Sequence, residues 1–277
     1  MKLFQELSEH CSKITTEKYS TSFSSSIKLL DKDLHTPIFN IYGFVRFADE
    51  IVDTFHDYNK EELLTNFKKE TYDAIKRGIS LNPILHSFQI TVNKYEIDHH
   101  LIEAFFNSME MDLQECKYDK AGYDAYIYGS AEVVGLMCLY VFCNGNKEEY
   151  EKLKPSAQSL GAAFQKVNFL RDVKADYELL SRTYFPGVDF NNFTLKAKKQ
   201  IEADIANDFA KAYVGIMQLP TKAKFGVYVA YVYYLSLFEK IKNTKAEDIL
   251  NKRIRIPDFG KAIILAKAKL KNAVNKI

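Results

Sequence analysis

Apolar residues recur at intervals of three and four along nearly the whole chain. No stretch alternates apolar and polar residues as a half-buried strand would. The pattern predicts helices over about residues 2–15, 37–54, 60–77, 84–95, 98–114, 122–143, 147–180, 195–217, 221–243 and 257–275. Pro37 suits a first helical turn, while Asn82-Pro83 and Leu219-Pro220 mark breaks. The Phe185-Pro186-Gly187 turn closes the long helix that starts near residue 147. No internal repeat and no Gly/Pro/Ser-rich linker divides the chain, so the expectation is one all-α domain over residues 1–277.

One predicted helix departs from the simple amphipathic pattern. In GAAFQKVNFLRDVKAD, Gly161, Gln165, Asn168, Asp172 and Asp176 follow one another at spacings of four, three, four and four, and so share a face. Phe164, Val167, Phe169 and Leu170 supply apolar surface on the other sides. Solvated helix faces usually carry Lys and Glu. Two carboxylates and two amides in a row, with Arg171 beside them, suit metal–oxygen coordination better.

An earlier segment repeats the arrangement. In IYGFVRFADEIVD, Asp49 and Asp53 are four apart, Arg46 precedes Asp49 by three, and Ile41, Phe44, Val45, Ile51 and Val52 form the apolar flank. Mg²⁺ takes carboxylate, water and phosphate oxygens together. Two such helices could clamp a diphosphate through bridging metal ions, with Arg46 and Arg171 on its oxygens. Either pair alone could equally be a surface patch; the occurrence of both favours the clamp.

These segments resemble the two aspartate-rich motifs of the head-to-head prenyl synthases, the family of phytoene, squalene and dehydrosqualene synthases. RFADEIVD matches the first motif and QKVNFLRDVKAD the second, and RTYFP (Arg182 to Pro186) matches the segment that follows it. YSTSFS (Tyr19 to Ser24) and YIYGSAEVVGLM (Tyr126 to Met137) extend the resemblance upstream, in family order. The resemblance implies a class I isoprenoid synthase helical bundle with a central active-site cavity. It implies Mg²⁺, with Mn²⁺ as the alternative ion, on Asp49, Asp53, Asn168, Asp172 and Asp176. Substrate contacts would come from Ser20, Thr21, Ser22, Phe23, Arg46, Gln165, Asn168, Arg171, Arg253 and Arg255. Tyr128 joins the four aspartates as a catalytic candidate, one acceptor for the final proton beside the released diphosphate.

The implied reaction joins two geranylgeranyl diphosphates through a cyclopropylcarbinyl diphosphate to phytoene, a step of carotenoid biosynthesis that needs no NADPH. Dehydrosqualene or squalene synthesis from farnesyl diphosphate, the latter with NADPH, is the alternative. A non-catalytic assembly factor of the family would have lost aspartates, and all four are present.

The remaining signals are weaker. Ser20, Thr21 and Ser22 precede Phe23 as either a phosphate-binding turn or a helix N-cap, and relatives often carry lysine at the Thr21 position. His99 and His100, adjacent on a helix, point about 100° apart and do not share a metal. Tyr128, Ala131 and Gly135 are expected on one helix face. Glu132, where relatives usually have a small residue, is either a salt-bridge partner or a cavity residue. With 18 Tyr, 20 Phe and no Trp, most aromatic rings must be core, and some would line a dry tunnel for prenyl tails and carbocations.

Net charge of +2 gives no general affinity for nucleic acid. The N-terminus has no signal core, and the apolar runs Val133–Cys143 and Phe225–Phe238 are too short to span a bilayer. Cys11, Cys116, Cys138 and Cys143 show no paired spacing and read as reduced thiols of a cytoplasmic protein. Past Leu250 the chain turns basic, with eight Lys or Arg against Asp258 alone. There Ile263, Ile264, Ala266, Leu270 and Val274 can form an apolar strip beside lysines, either packed on the domain or laid on an anionic membrane.

Overall fold

This computed structural model describes the chain apart from residues 114–117, 181–184, 189–192, 250–252 and 274–277 and the side chains of 174–180 and 258. Cys116, residues 182–184 of the RTYFP segment, Val274 and the Asp176 side chain therefore lie outside the described residues.

The described elements are helical throughout. They are α1 (Lys2–Tyr19), α2 (Thr21–Ile27), α3 (Lys32–Thr54), α4 (Lys60–Arg77), α5 (Pro83–Tyr95), α6 (His99–Met111), α7 (Lys120–Ile127), a π-helical turn (Tyr128–Glu132) and α8 (Val133–Cys143). There follow α9 (Lys147–Leu180), α10 (Leu195–Ile216), α11 (Thr221–Lys242), α12 (Ala246–Ile249) and α13 (Asp258–Ala273). Helix starts carry the side chains that satisfy orphan N–H groups: Asn59, Asn82, Asp98, Asp119 and Thr194 each accept from a backbone amide of the first turn. Asp98 thus makes His99 and His100 an ordinary helix start.

Helix α3 begins at Lys32 rather than near Pro37, because Asp31 caps it and Leu34 already packs inward. Pro37 lies inside the helix, where its missing N–H removes only the bond to the Asp33 carbonyl. The core of the N-terminal half is aromatic. Phe44 on α3 is fully buried and stacks on Phe88 at 3.8 Å, with Phe67, Phe105 and Phe106 closing around it. This cluster fixes α3 against α4, α5 and α6, and so fixes the bearing of Arg46 and Asp49.

The run Lys120–Cys143, 24 residues long, has the length and composition to cross a membrane, contrary to the expectation that no segment does. Joining α7, the π-turn and α8 makes one helix longer than either apolar run. Its apolar side chains form core instead, with Val133, Leu136, Met137, Leu139 and Val141 buried against neighbouring helices. Helix α8 packs on α9 and α3, and α9 packs most extensively on α10. Between them they leave a cavity.

Candidate active site

The cavity has a volume of about 530 Å³ and is walled by α2, α3, the π-turn with α8, α9, α10 and α11. One stripe of α9 runs its whole length: Leu153, Ser156, Ala157, Leu160, Gly161, Phe164, Gln165, Asn168 and Arg171. The spacing of threes and fours is the helical face that the sequence pattern singles out around Gly161, and it continues four residues and more upstream. The stripe changes character along its course. Gln165, Asn168 and Arg171 are polar, and everything from Phe164 back to Leu153 is small or apolar apart from Ser156. Ser20, Arg46, Asp49 and Arg253 join the polar end.

Gly161 is required by the geometry. A Cβ there would sit 2.7 Å from the Ala131 carbonyl oxygen and 2.9 Å from Glu132 Cα, so the helix and the π-turn meet backbone to backbone. Gln165 then donates to Ser130 Oγ at 3.2 Å, Asn168 Oδ1 accepts from Tyr234 Oη at 3.3 Å, and Asn168 Nδ2 lies 3.5 Å from Gln165 Oε1. Tyr234 stacks on Phe164 at 3.9 Å, and Phe23 lies 5.8 Å from it. Three π faces thus stand directly below the polar mouth.

The two acidic motifs are compensated unequally. Asp172 is gripped from both sides, by Arg171 at 2.5–3.1 Å and by Arg253 Nε at 2.7 Å. Asp49 has only a 3.7 Å contact from Arg46, whose closer partner is Glu50 at 2.5 Å. Burial and the neighbouring Asp53 charge push the Asp49 carboxyl up to about 7, against the pull of Arg46. Arg46 also covers the Tyr19 ring at 4.3 Å, and its Nε is buried with no acceptor among the described residues. Burial pulls the Arg171 guanidinium down, but the contact with Asp172 more than offsets this. The mouth therefore holds one carboxyl, Asp49, that meets its arginine only at 3.7 Å, and an Arg46 Nε–H without an acceptor among the described residues.

A divalent cation and a diphosphate are the complementary pair. Among the described residues no three carboxylates, imidazoles or thiols converge on one point. Asp49 fits a cation by its weak compensation, with Asp53 one helical turn further along α3, whereas the Asp172 carboxylate is already occupied by arginines. Asp176 belongs to α9, with its side chain outside the described residues.

The other sequence-predicted residues divide. Ser20 lines the cavity, and its Oγ caps α2 by accepting from Phe23 N–H at 3.2 Å, which is the N-cap reading of that turn. Thr21 is exposed, accepts from Lys261 Nζ at 3.2 Å and, like Ser22, is absent from the cavity lining. Arg255 is exposed outside the cavity. Tyr128 does not line the cavity, although Ala131 and Gly135 do. The π-turn is the reason: it inserts about one residue into the helical register, which turns Tyr128 away by about 100°. Glu132 accepts from Gln158 at 2.9 Å on the outer side.

Tyr42, Ser130 and Tyr234 were not singled out by the sequence. All three lie in segments the sequence does mark, Tyr42 in IYGFVRFADEIVD, Ser130 in YIYGSAEVVGLM and Tyr234 in the apolar run Phe225–Phe238, but no spacing argument picks them out. Burial pushes the Tyr42 phenol up to about 12 and the Tyr234 phenol upward too, so both stay neutral donors at the site.

Comparison with known proteins places the chain in a family and a fold. The family model described as squalene/phytoene synthase matches residues 16–259. The 4,4'-diapophytoene synthase of Staphylococcus haemolyticus is 26% identical over 212 aligned positions, which cover 75% of this chain and 72% of that one. The 15-cis-phytoene synthase of Synechococcus elongatus is 26% identical over 300 aligned positions, covering 97% and 94% of the two chains. A crystal structure of a dehydrosqualene synthase in complex with ligand superposes with a TM-score of 0.81 at 17% identity, over 99% of both chains, a likeness of fold.

Proposed function

The chain belongs to the squalene/phytoene synthase family, and from that premise we propose that it joins two geranylgeranyl diphosphates head to head, through a cyclopropylcarbinyl diphosphate, to phytoene. The observation that carries the choice of substrate is the length of the α9 stripe behind its polar end. From Gln165, the last polar residue of that end, back to Leu153 it runs about 18 Å at 1.5 Å per residue. At about 3.6 Å per three bonds, an extended geranylgeranyl main chain is about 18 Å long and a farnesyl one about 13 Å. The longer tail reaches the far end of the cavity; the shorter would leave its last turn empty.

Asp49 and Asp53, with Asp172 and Asp176 opposite, would hold Mg²⁺ at the mouth. Bound there, the ion would draw electron density from the diphosphate and favour breaking of the allylic C–O bond. Arg46, which lines the cavity, would turn its guanidinium toward the leaving diphosphate. Arg171 and Arg253 reach the same oxygens by exchanging the Asp172 carboxylate for phosphate, which converts a protein–protein ion pair into a substrate contact. Phe23, Phe164 and Tyr234 present ring faces to the allylic cation. The apolar wall behind them keeps out water that would quench it.

The same proposal places the enzyme at a lipid surface in the cytoplasm. Phe259, Ile263, Ala266 and Leu270 form an exposed apolar stripe along α13, with Lys267 and Lys269 exposed beside it. Such a helix can lie in an anionic headgroup layer, where a hydrocarbon product would partition.

The direct test is incubation with farnesyl and geranylgeranyl diphosphates, with and without NADPH, followed by mass spectrometry. The expected result is phytoene from geranylgeranyl diphosphate without reductant. Condensation of farnesyl diphosphate alone, or a requirement for NADPH, would overturn the substrate assignment.

A further inference from the structure

Behind α9 lies a second space, a surface cleft of about 620 Å³ between α9, α10 and the helix that carries the π-turn. Its lining sets Glu132, Gln158, Ser159, Lys166, Asp208 and Lys211 among a few apolar residues, so it carries far more charge than the cavity beyond the polar mouth. Lys166 is nearly buried and holds Asp204 at 2.5 Å and Asp208 at 2.7 Å, which ties α9 to α10 across the cleft. The apolar cavity and this polar cleft run back to back. Among the described residues, Ser156 alone lines both.

The wall is thin because of Gly215. A Cβ on Gly215 would fall 2.2 Å from Ser156 Cβ and 2.8 Å from its Oγ, so α10 can approach α9 here only without a side chain. Gly215 itself lines the cavity. Ser156 is therefore a plug of one Cβ and one hydroxyl seated on bare backbone. Its hydroxyl suits a partition that is wet on one side and dry on the other. Along α9, Ser156 stands about 13 Å from Gln165, one turn short of Leu153. That is where the last isoprene unit of an extended geranylgeranyl tail would run, beyond the reach of a farnesyl tail.

We propose that Ser156, seated on Gly215, is the partition that sets the longest prenyl chain this enzyme accepts, by closing the side wall of the last turn of the tail cavity against the outer cleft. The inference rests on the reading of the cavity as a prenyl-tail site. Removing the plug joins the two spaces, so a chain one isoprene unit longer can turn out through the opening. Thickening the plug crowds the last unit.

The experiment compares wild type, Ser156→Gly, Ser156→Val and Ser159→Gly on a series of allylic diphosphates that differ by one isoprene unit. The reading is the ratio of kcat/KM for the chain one unit longer than wild type prefers to that for the preferred chain. One methylene of apolar contact is worth about fourfold. Ser156→Gly is expected to raise the ratio at least about tenfold and Ser156→Val to lower it about fourfold. Ser159→Gly carries the same helix penalty but faces only the cleft, and its ratio should equal that of wild type. Because the two Ser156 changes act in opposite directions, either one that folds decides the matter. An active Ser156 variant with the wild-type ratio would overturn the partition and leave the proposed reaction standing. Wild type that condenses no prenyl diphosphate would overturn both.

Discussion

Asp49→Asn should abolish turnover and at the same time stabilise the metal-free fold. The carboxyl of Asp49 is raised from near 3.8 to about 7, first by burial and then by the Asp53 charge. One unit of pKa is worth about 1.4 kcal/mol. If Asp49 bore the whole shift alone, ionising it in the fold would cost on the order of 4 kcal/mol. The side chain is 31% exposed and Arg46 contacts it at 3.7 Å. Solvent exposure and the charge coupling of Asp49 with Asp53 cut the figure to about 1–2 kcal/mol. For a chain of this size that is about 2–6 °C in Tm.

The sign follows from the direction of the shift. A carboxyl whose folded pKa is raised costs nothing below its unfolded pKa, and stability is lost as pH rises toward the folded value. The advantage of Asp49→Asn should therefore be largest above pH 7 and shrink as pH falls toward 4. Circular-dichroism melts with chelator at a series of pH values measure it. Adding excess Mg²⁺ should raise the Tm of wild type and close the gap, because a ligand of the folded state stabilises it by mass action. Equal or lower Tm for the variant at high pH, with no pH trend, would show that Arg46 already neutralises Asp49 and would refute the charge-deficit argument.

Arg46→Ala and Arg171→Ala should each lower kcat/KM by about two to three orders of magnitude, the usual loss on removing a donor to developing negative charge. Tm should change little by comparison; normal rates with a lower Tm would make these arginines structural partners of the carboxylates. Gly161→Ala forces a Cβ to 2.7 Å from the Ala131 carbonyl, and a loss of about 1–3 kcal/mol in chemical denaturation is expected. Vesicle flotation tests the α13 stripe. Binding to anionic liposomes should fall with salt, since charges are screened over about 8 Å at physiological ionic strength, and should weaken on Lys267→Gln and Lys269→Gln. Lys271 is not part of that test, because its Nζ is held by Tyr228 Oη at 2.9 Å. No flotation at low salt would remove the membrane contact.

What the sequence made legible was whatever depends on spacing within one helix. The Gly161, Gln165 and Asn168 face, the Arg46 and Asp49 face and the long span of α9 all follow from a 3.6-residue period, and the structure reproduces them, although Arg171 and not Asp172 continues the first face along the cavity wall. Tyr128 shows where that reasoning stops. A π-turn is not written in the residues YGSAE, because its cost is repaid by contacts on other helices. Here they are the backbone approach at Gly161 and the Gln158–Glu132 and Gln165–Ser130 bonds. One inserted residue was enough to move Tyr128 out of the cavity and leave Ser130 in it.

Charge compensation was illegible for the same reason. In sequence the two acidic motifs look equivalent, each with one arginine close by. In space Arg253, 81 positions beyond Asp172, supplies a second guanidinium to one motif, while Glu50 diverts Arg46 from the other. That asymmetry gives the two motifs different work. The Asp49 side has a deficit that a cation can fill, and the Asp172 side holds arginines that a diphosphate can draw away. The proposed Mg²⁺ would therefore gain most at Asp49, and the proposed diphosphate at Arg171 and Arg253.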